Sequence, residues 1–562
     1  MNTVPTGTPA PPATNRVTEG LRASQAFPVR TRKSESNLTD INVTLWARLL
    51  EGYEDKEFII AGLTSGFALG FQGNEVCTEA RNARSVALNP EAAKAKIDEE
   101  LSLGRLAGPF PGPPFGTFKC SPLSLREKST PGKFRLLHDL SFPYNEHSVN
   151  GNIPDEWAKV SYSTVKDAVD VIISLPSAVV AKADLKDAYR QIPISPDSYW
   201  LVCFSLEGSF YYDRRLPMGA RSSCFIFERL TDSLVFILKN TFKVKHVVKL
   251  LDDFLFIGES FPECEAALNA FELLCEKLRL PLAKEKTIRP CTQVTFLGVE
   301  LDTQKNEARL PLDKLTAYAG EARVMRSRQS CSQRELKSLI GRLQFATCII
   351  QGGRCFLRRL HDQLFGPYKP NKRVWISSSM KEDLRVWETF LRNYNGRALL
   401  SYSARNVPAS ISISTDASLK GYGGHWGAKF VIGEFPASWK HLGIEALEMY
   451  AVLATFGAFA KSLRDRVVLL HCDSEALVHC LNKLTSKNKN VMSFLRPFVI
   501  LLLSNNISLR CIHIRSEDNS VSDSLSRLQV ARSRILLPTL ARSPTRVPDA
   551  LLPKNWIGSS PH

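Results

Sequence analysis

Two groups of acidic residues stand where carboxylates could do joint chemistry. Asp184 closes the apolar stretch Val179-Val180-Ala181-Lys182-Ala183, and the pair Asp252-Asp253 lies between the apolar stretches 247–251 and 254–257. Two β-like runs meeting at charged residues read as a hairpin with charge at its tip. Set beside the strand that ends at Asp184, that hairpin would crowd three carboxylates at one sheet edge, where they repel unless divalent cations neutralise them. Hard oxygen ligands suit Mg²⁺, and two ions about 3.5–4 Å apart can activate an attacking hydroxyl and stabilise the leaving oxygen of an in-line phosphoryl displacement. The chemistry is nucleotidyl transfer. An Asp-Asp pair alone is most often a solvated turn, so the surrounding pattern carries the weight. The second group is Asp416, at the end of the alternating run 411–416; Glu448, on a helical stretch shared with Val452 and Thr455; Asp473, just past the strand 467–470; and Asp523, at the start of a helix. Each alone reads as a surface or cap residue; together they could form one metal cluster.

The elements that must position these residues alternate between helix and strand periods. Val165, Ala168, Val169 and Ile172 recur at helical spacing before Pro176, and the strand 179–184 follows. Runs 201–206 and 210–216 are strand-like and flank Glu207-Gly208, whose glycine suits a tight hairpin. A helix over 222–239, the charged hairpin, a helix over 265–279 and a strand over 294–301 complete an α+β pattern. Leu336, Leu339, Ile340 and Leu343 share one side of a helix over 334–345. From residue 409 the pattern restarts: a strand over 411–416, a turn at Gly421-Tyr422-Gly423-Gly424 into a second strand, a helix over 445–459 and a strand over 467–470.

Composition bounds the function. The 562 residues suggest several domains, and 73 Lys and Arg against 56 Asp and Glu leave a charge of +17, which attracts polyanions, nucleic acid foremost. The apolar run 498–503 is far shorter than the ~20 residues that cross a bilayer, and the N-terminus lacks a hydrophobic signal core, so an intracellular protein, cytoplasmic or nuclear, with no membrane partner is expected. Thirteen scattered cysteines without a C-x-x-C pair read as reduced thiols, with neither a disulfide framework nor a zinc site.

Asp184-Leu185-Lys186-Asp187-Ala188-Tyr189, Leu216-Pro217-Met218-Gly219-Ala220 and Leu251-Asp252-Asp253 stand in the order and approximate spacing of reverse-transcriptase palm motifs. The chain resembles the reverse transcriptase/ribonuclease H of retrotransposons, most closely the tyrosine-recombinase type called DIRS-like. The resemblance implies a multidomain α+β and α/β fold, a right-hand polymerase with fingers, palm and thumb followed by a ribonuclease H-like domain. It implies that Asp184, Asp252 and Asp253 are catalytic and hold metal, and that Tyr189 is the steric gate against a ribose 2′-hydroxyl. Lys133-Phe134-Arg135-Leu136-Leu137-His138-Asp139-Leu140 resembles the fingers strand that grips the triphosphate, which assigns nucleotide binding to Lys133, Arg135, Tyr189 and Met218. Leu297-Gly298-Val299-Glu300-Leu301 resembles the support of the primer end. The order Asp416, Glu448, Asp473, Asp523 is similar to ribonuclease H and implies four catalytic, metal-holding acids. Leu250 stands where the family usually has a tyrosine, Met218 where retroviral enzymes often have glutamine, and Arg515-Ser516-Glu517-Asp518 where some ribonucleases H have a histidine.

These expectations divide the chain into a disordered basic arm (1–40), an N-terminal helical leader (41–107), fingers and palm (108–300), thumb and connection (301–408), a ribonuclease H-like domain (409–530) and a flexible tail (531–562). The implied activity is RNA-directed DNA synthesis from dNTPs with cleavage of RNA in RNA–DNA hybrids, using two Mg²⁺ per site with Mn²⁺ as a substitute. Implied partners are an RNA template, the hybrid and dNTPs, with recombinase and capsid-type proteins encoded by the same element. Two competing readings are an inactive, domesticated nucleic-acid-binding scaffold and a DNA-dependent polymerase with a proofreading nuclease.

Overall fold

The structure, a computed structural model, describes residues 38–127, 132–393, 397–398 and 411–555. The expected basic arm apart from 38–40, the end of the expected tail and the break near 408 lie outside the described residues. The chain divides into two compact units, 1–164 with 179–291 and 165–178 with 292–562.

The first unit centres on a four-stranded antiparallel sheet of β1 (Val179–Asp184), β2 (His246–Leu250), β3 (Asp253–Gly258) and β4 (Ile288–Cys291), in the order β4-β1-β3-β2. Alternate residues Val179, Ala181 and Ala183 of β1 and Phe254 and Phe256 of β3 enter one core with the helices Ser223–Asn240 and Phe261–Leu278. Phe254 and Phe256 meet Phe271 with ring centroids 4.6 and 5.3 Å apart. Burying such a ring contributes about 1.5–3 kcal/mol, so these contacts seat the sheet on its helices. Of the N-terminal segment, residues 41–69 join this core, while Val86, Ala93, Ile97 and Leu106 pack in a second cluster with Leu123, Leu125 and Phe204. Trp46 is fully buried and donates its indole N–H to Ser233 Oγ at 3.0 Å, and Ile59, Leu63 and Phe67 pack beside it. A second, five-stranded sheet includes Cys203–Leu206, Ser209–Asp213 and Leu106–Phe110, and the strands Leu123–Glu127 and Phe134–His138 form a separate hairpin. The strand expected from 201 starts at Cys203, because Pro196–Leu201 coils into a 3₁₀ turn.

The second unit holds helices Leu312–Ser327, Gln333–Ala346 and Ser378–Asn393, and then a sheet of β5 (Ile411–Ala417), β6 (Gly421–Trp426), β7 (Lys429–Glu434), β8 (Val467–Cys472) and β9 (Ser508–His513). The order is β7-β6-β5-β8-β9; β5 to β7 run antiparallel, while β5, β8 and β9 run parallel. The long helix Ile444–Leu463, buried along most of its length, covers the sheet, and the fold is ribonuclease H-like. Two expectations need correction. The single strand over 294–301 is a hairpin, Gln293–Phe296 with Val299–Asp302, because Leu297 and Gly298 take φ of 49° and 77°. Gly421 to Gly424, expected as a turn, belong to β6.

The segment expected as a flexible tail is folded as far as it is described. Val530–Leu536 is helical, Leu540 and Val547 are buried, and Ala541 and Thr545 donate main-chain N–H groups to Ala428 O and Phe430 O beside edge strand β7. Among the described residues no helix is long and apolar enough to cross a membrane, and all thirteen cysteines are free thiols.

Candidate active sites

The palm geometry starts from strand register. β1 and β3 pair antiparallel with Asp184 opposite Asp253, and β2 and β3 pair with Leu250 opposite Asp253, which leaves Leu251 and Asp252 as the turn. Asp252 is tied back to β1 by its main-chain oxygen, which accepts Leu185 N–H at 3.0 Å. Leu251 takes a left-handed φ of 53°, and its N–H is held at 3.1 Å by the buried carboxylate of Glu228 on Ser223–Asn240. Glu228 in turn meets Lys249 Nζ at 2.7 Å. The three aspartates are thus gathered by a hairpin whose turn is fixed from beneath.

Crowding shows in the acids themselves. Burial, and then the charge of Asp184, push Asp252 above the usual carboxylate range, and burial raises Asp253 against the opposing pull of Lys182. Lysines supply counter-charge: Lys286 Nζ lies 2.9 Å from Asp184 Oδ1 and Lys182 Nζ 3.0 Å from Asp253 Oδ2. Among the described residues no three His, Cys, Asp or Glu side chains converge as a preformed metal cage. The donor set nevertheless fits hard cations, because Asp253 Oδ1 is buried without a hydrogen-bond partner, an atom that calls for a donor or a cation.

Of the residues expected to hold a nucleotide, Tyr189 feels the charge of Asp252. Tyr189 meets Phe227 with ring centroids 4.8 Å apart and planes tilted by 38°, and donates its hydroxyl to Cys224 Sγ at 3.3 Å; burial, then Cys224, raise its phenol well above the ordinary value. Met218 is 53% exposed on the loop that precedes Ser223–Asn240. The next residue must be glycine, because a Cβ on Gly219 would stand 2.0 Å from His138 O, at the end of the strand Phe134–His138. Arg135 is exposed on that strand, as is Lys133 just before it. The register sets Arg135 directly opposite Arg126. Like charges facing across a strand pair destabilise it, an arrangement that suits an anion bound between them.

In the second unit, Asp416 is buried near the end of β5, and Glu448 projects from Ile444–Leu463 toward Ser474 and Asp473. Burial, with Asp473 and Asp523 adding to it, pushes Asp416 up to about 6; burial, with Asp473 and Asp416, pushes Glu448 up to about 7. Glu448 Oε2 is buried without a partner, again a fit to a hard cation, whereas Glu445 is exposed and accepts from Asn488 at 3.4 Å. Asp523 lies on the helix Ser520–Ser526 and pairs with Arg527 at 2.8 Å. That helix seats against β6 only because Gly423 has no side chain; a Cβ there would stand 2.4 Å from Leu525 Cβ. His513 ends β9, its Nε2 3.2 Å from Asp473 O.

Residues 161–301, which contain β1 to β4 and all three palm aspartates, match the family described as "Reverse transcriptase (RNA-dependent DNA polymerase)". The chain carries a reverse transcriptase domain. The domain is of the retroviral and retroelement type. Over 310 residues, 53% of its length, the chain is 25% identical to the Gag-Pro-Pol polyprotein of Human T-cell leukemia virus 3 (strain 2026ND), covering 20% of that protein. Over 120 residues, 21% of its length, it is 28% identical to Protein P of Duck hepatitis B virus (strain China), covering 15% of it. The chain spans about one fifth of the length of the Gag-Pro-Pol relatives it matches. A solved structure of the foamy viral protease-reverse transcriptase in complex with RNA/DNA hybrid aligns at a TM-score of 0.47 and 16% identity, covering 84% of this chain and 63% of that one. Within the reverse transcriptase domain, sequence reasoning missed Lys182 and Lys286, and outside it Arg126. In the ribonuclease H-like domain it missed Asn519, whose amide donates to Thr415 O at 3.0 Å and Asp473 Oδ1 at 3.4 Å. Only the one-turn spacing of Asn519 from Asp523 hinted at it.

Proposed function

We propose that this chain is the RNA-directed DNA polymerase of a retrotransposon of the DIRS-like, tyrosine-recombinase type, and that its second unit cleaves RNA in RNA–DNA hybrids. The observation that carries this is the pairing of Asp184 with Asp253, beside Asp252, inside the segment that matches the reverse transcriptase family. The DIRS-like assignment rests on the motif resemblance in the sequence. Asp184, Asp252 and Asp253 would hold one pair of Mg²⁺, and Asp416, Glu448, Asp473 and Asp523 another, with Mn²⁺ as a substitute; bound there, the ions supply Lewis-acid activation of the attacking oxygen and of the leaving group. Arg135 and Lys133 hold the triphosphate as charged donors. Tyr189 closes the space a 2′-hydroxyl would need, and Met218 lines the nucleotide pocket. Asn519 fixes Asp473 against β5.

The partners that follow are an RNA template, the hybrid and dNTPs, and recombinase and capsid-type proteins from the same element, in an intracellular setting, cytoplasmic or nuclear. Template-primer extension with dNTPs and Mg²⁺ tests the first activity, and degradation of RNA in a hybrid the second. Asp252→Asn with Asp253→Asn should abolish extension and spare RNA cleavage, and Asp473→Asn should do the reverse. Absence of any Mg²⁺-dependent extension would favour a nucleic-acid-binding scaffold, and removal of the primer 3′ end a proofreading polymerase.

A further inference from the structure

The turn after Asp184 is held by charges that come from far along the chain. Asp187 has a left-handed φ of 55° and opens the 3₁₀ turn Ala188–Gln191, so Tyr189 lies between Asp187 and Arg190. Arg190 is 13% exposed at its side chain, and its Nη1 lies 2.7 Å from Asp213 Oδ1. Its Nε and Nη2 each lie 2.8 Å from Glu100 Oε2. Arg105, 11% exposed, spans the other side: Nη1 is 3.4 Å from Glu100 Oε1 and Nη2 is 2.8 Å from Asp187 Oδ2. Asp213 completes the set through Oδ2, 3.2 Å from His138 Nδ1 at the end of the strand that carries Arg135. Glu100 lies on the helix Pro90–Ser102, 90 residues before Arg190.

Such a network is costly to desolvate, and it is tolerable only while each charge keeps its partners. A surface loop would need none of it. Both ends of the turn, Asp187 and Arg190, are gripped through one carboxylate, Glu100, and the residue between them is Tyr189.

We infer that Glu100 and Arg105 are positioning residues for sugar selection: they brace the Tyr189 turn from the N-terminal segment and so set the space left for the sugar of an incoming nucleotide. This rests on the proposed polymerase function and on Tyr189 as the steric gate. It gives the segment before residue 107 a part in substrate choice. The brace acts on the placement of Tyr189, not on the reacting atoms, so its loss is read in discrimination before it is read in turnover.

The test uses the full chain and compares kcat/KM for a dNTP with that for the matching rNTP on one template-primer, in Glu100→Gln, Arg105→Gln, Arg190→Lys and Tyr189→Ala. Glu100→Gln should raise the rNTP-to-dNTP ratio roughly ten-fold, chiefly through a lower rNTP KM with the dNTP KM little changed, since a misplacement of about 1 Å is enough for effects of that size. Arg190→Lys, which keeps the charge but not the planar fork, should fall between wild type and Glu100→Gln. Should Glu100→Gln fail to fold, Arg105→Gln, which releases only the Asp187 side, puts the same question. A melting temperature lowered with the ratio unchanged would make the network merely structural and overturn the inference. So would an equal loss for both nucleotides. If Tyr189→Ala moves the ratio and Glu100→Gln does not, the brace fails and the gate stands; if Tyr189→Ala leaves it unmoved, the gate itself is wrong and the brace falls with it.

Discussion

Replacing Lys249 by methionine probes how the hairpin that carries Asp252 and Asp253 is held. Lys249 is 4% exposed, with Nζ 2.7 Å from Glu228 Oε1 and 2.9 Å from Asp232 Oδ1. Asp232 is about half exposed and is screened by solvent, so most of the effect belongs to Glu228, which is 7% exposed. Lys249→Met strands the Glu228 carboxylate with the Leu251 N–H, and removal of one partner from a buried pair costs about 3–5 kcal/mol. Glu228→Gln should cost less than Lys249→Met, because the ammonium keeps the Asp232 carboxylate at 2.9 Å. The double change removes both buried charges and should cost less than Lys249→Met alone. Urea unfolding gives these energies. Primer extension separates stability from positioning: the double variant, which folds but offers Leu251 a weaker acceptor, should extend more slowly than wild type, because Leu251 must keep a φ of 53° that a non-glycine residue holds only at a cost of roughly 1 kcal/mol or more. Lys249→Met within about 0.5 kcal/mol of wild type, or strictly additive losses in the double variant, would refute the buried-pair account.

Glu448→Gln should stabilise the metal-free protein at pH 8. A carboxyl held up to about 7 keeps a proton that the unfolded chain has already released, so folding stability falls as pH rises from its ordinary value of 4.5 through about 7; the glutamine variant escapes that loss, worth up to roughly 3 kcal/mol, and its advantage should vanish near pH 4.5 when unfolding is followed in a chelator. Arg126→Ala and Arg135→Ala should each raise the dNTP KM about ten-fold, the scale of one lost charge-assisted hydrogen bond, while leaving the melting temperature unchanged or slightly higher as facing charges are removed. Unchanged KM in both would show that no anion lies between them. Gly219→Ala forces its new Cβ off His138 O and should destabilise the first unit by about 1–3 kcal/mol, read from the same unfolding curves.

Much of the molecule was legible in its residues. The strand ending at Asp184, the hairpin bearing Asp252 and Asp253, and the helix bearing Glu448 followed from apolar periodicity, because each is a local pattern that buries one face. Other elements were misread where local signals are ambiguous. Leu297-Gly298 turns the chain within a run of strand formers, and Gly421 to Gly424 look like a turn although they lie in a strand. Gly423 is explained by Leu525, about a hundred positions away, whose helix leaves no room for a Cβ.

Residue types and order alone thus determined which strands and helices carry the acidic residues and the succession of the two folds. Tertiary structure decided what surrounds them. That Lys286 covers Asp184 across 102 positions, that Arg126 faces Arg135, and that Glu100 reaches Arg190 across 90 depends on strand register and helix docking. A lysine, arginine or glutamate has no local signature that separates a buried brace from a solvated surface charge; its role is set by which partner the folded backbone brings within 3 Å, and that is a property of pairs, not of positions in a sequence.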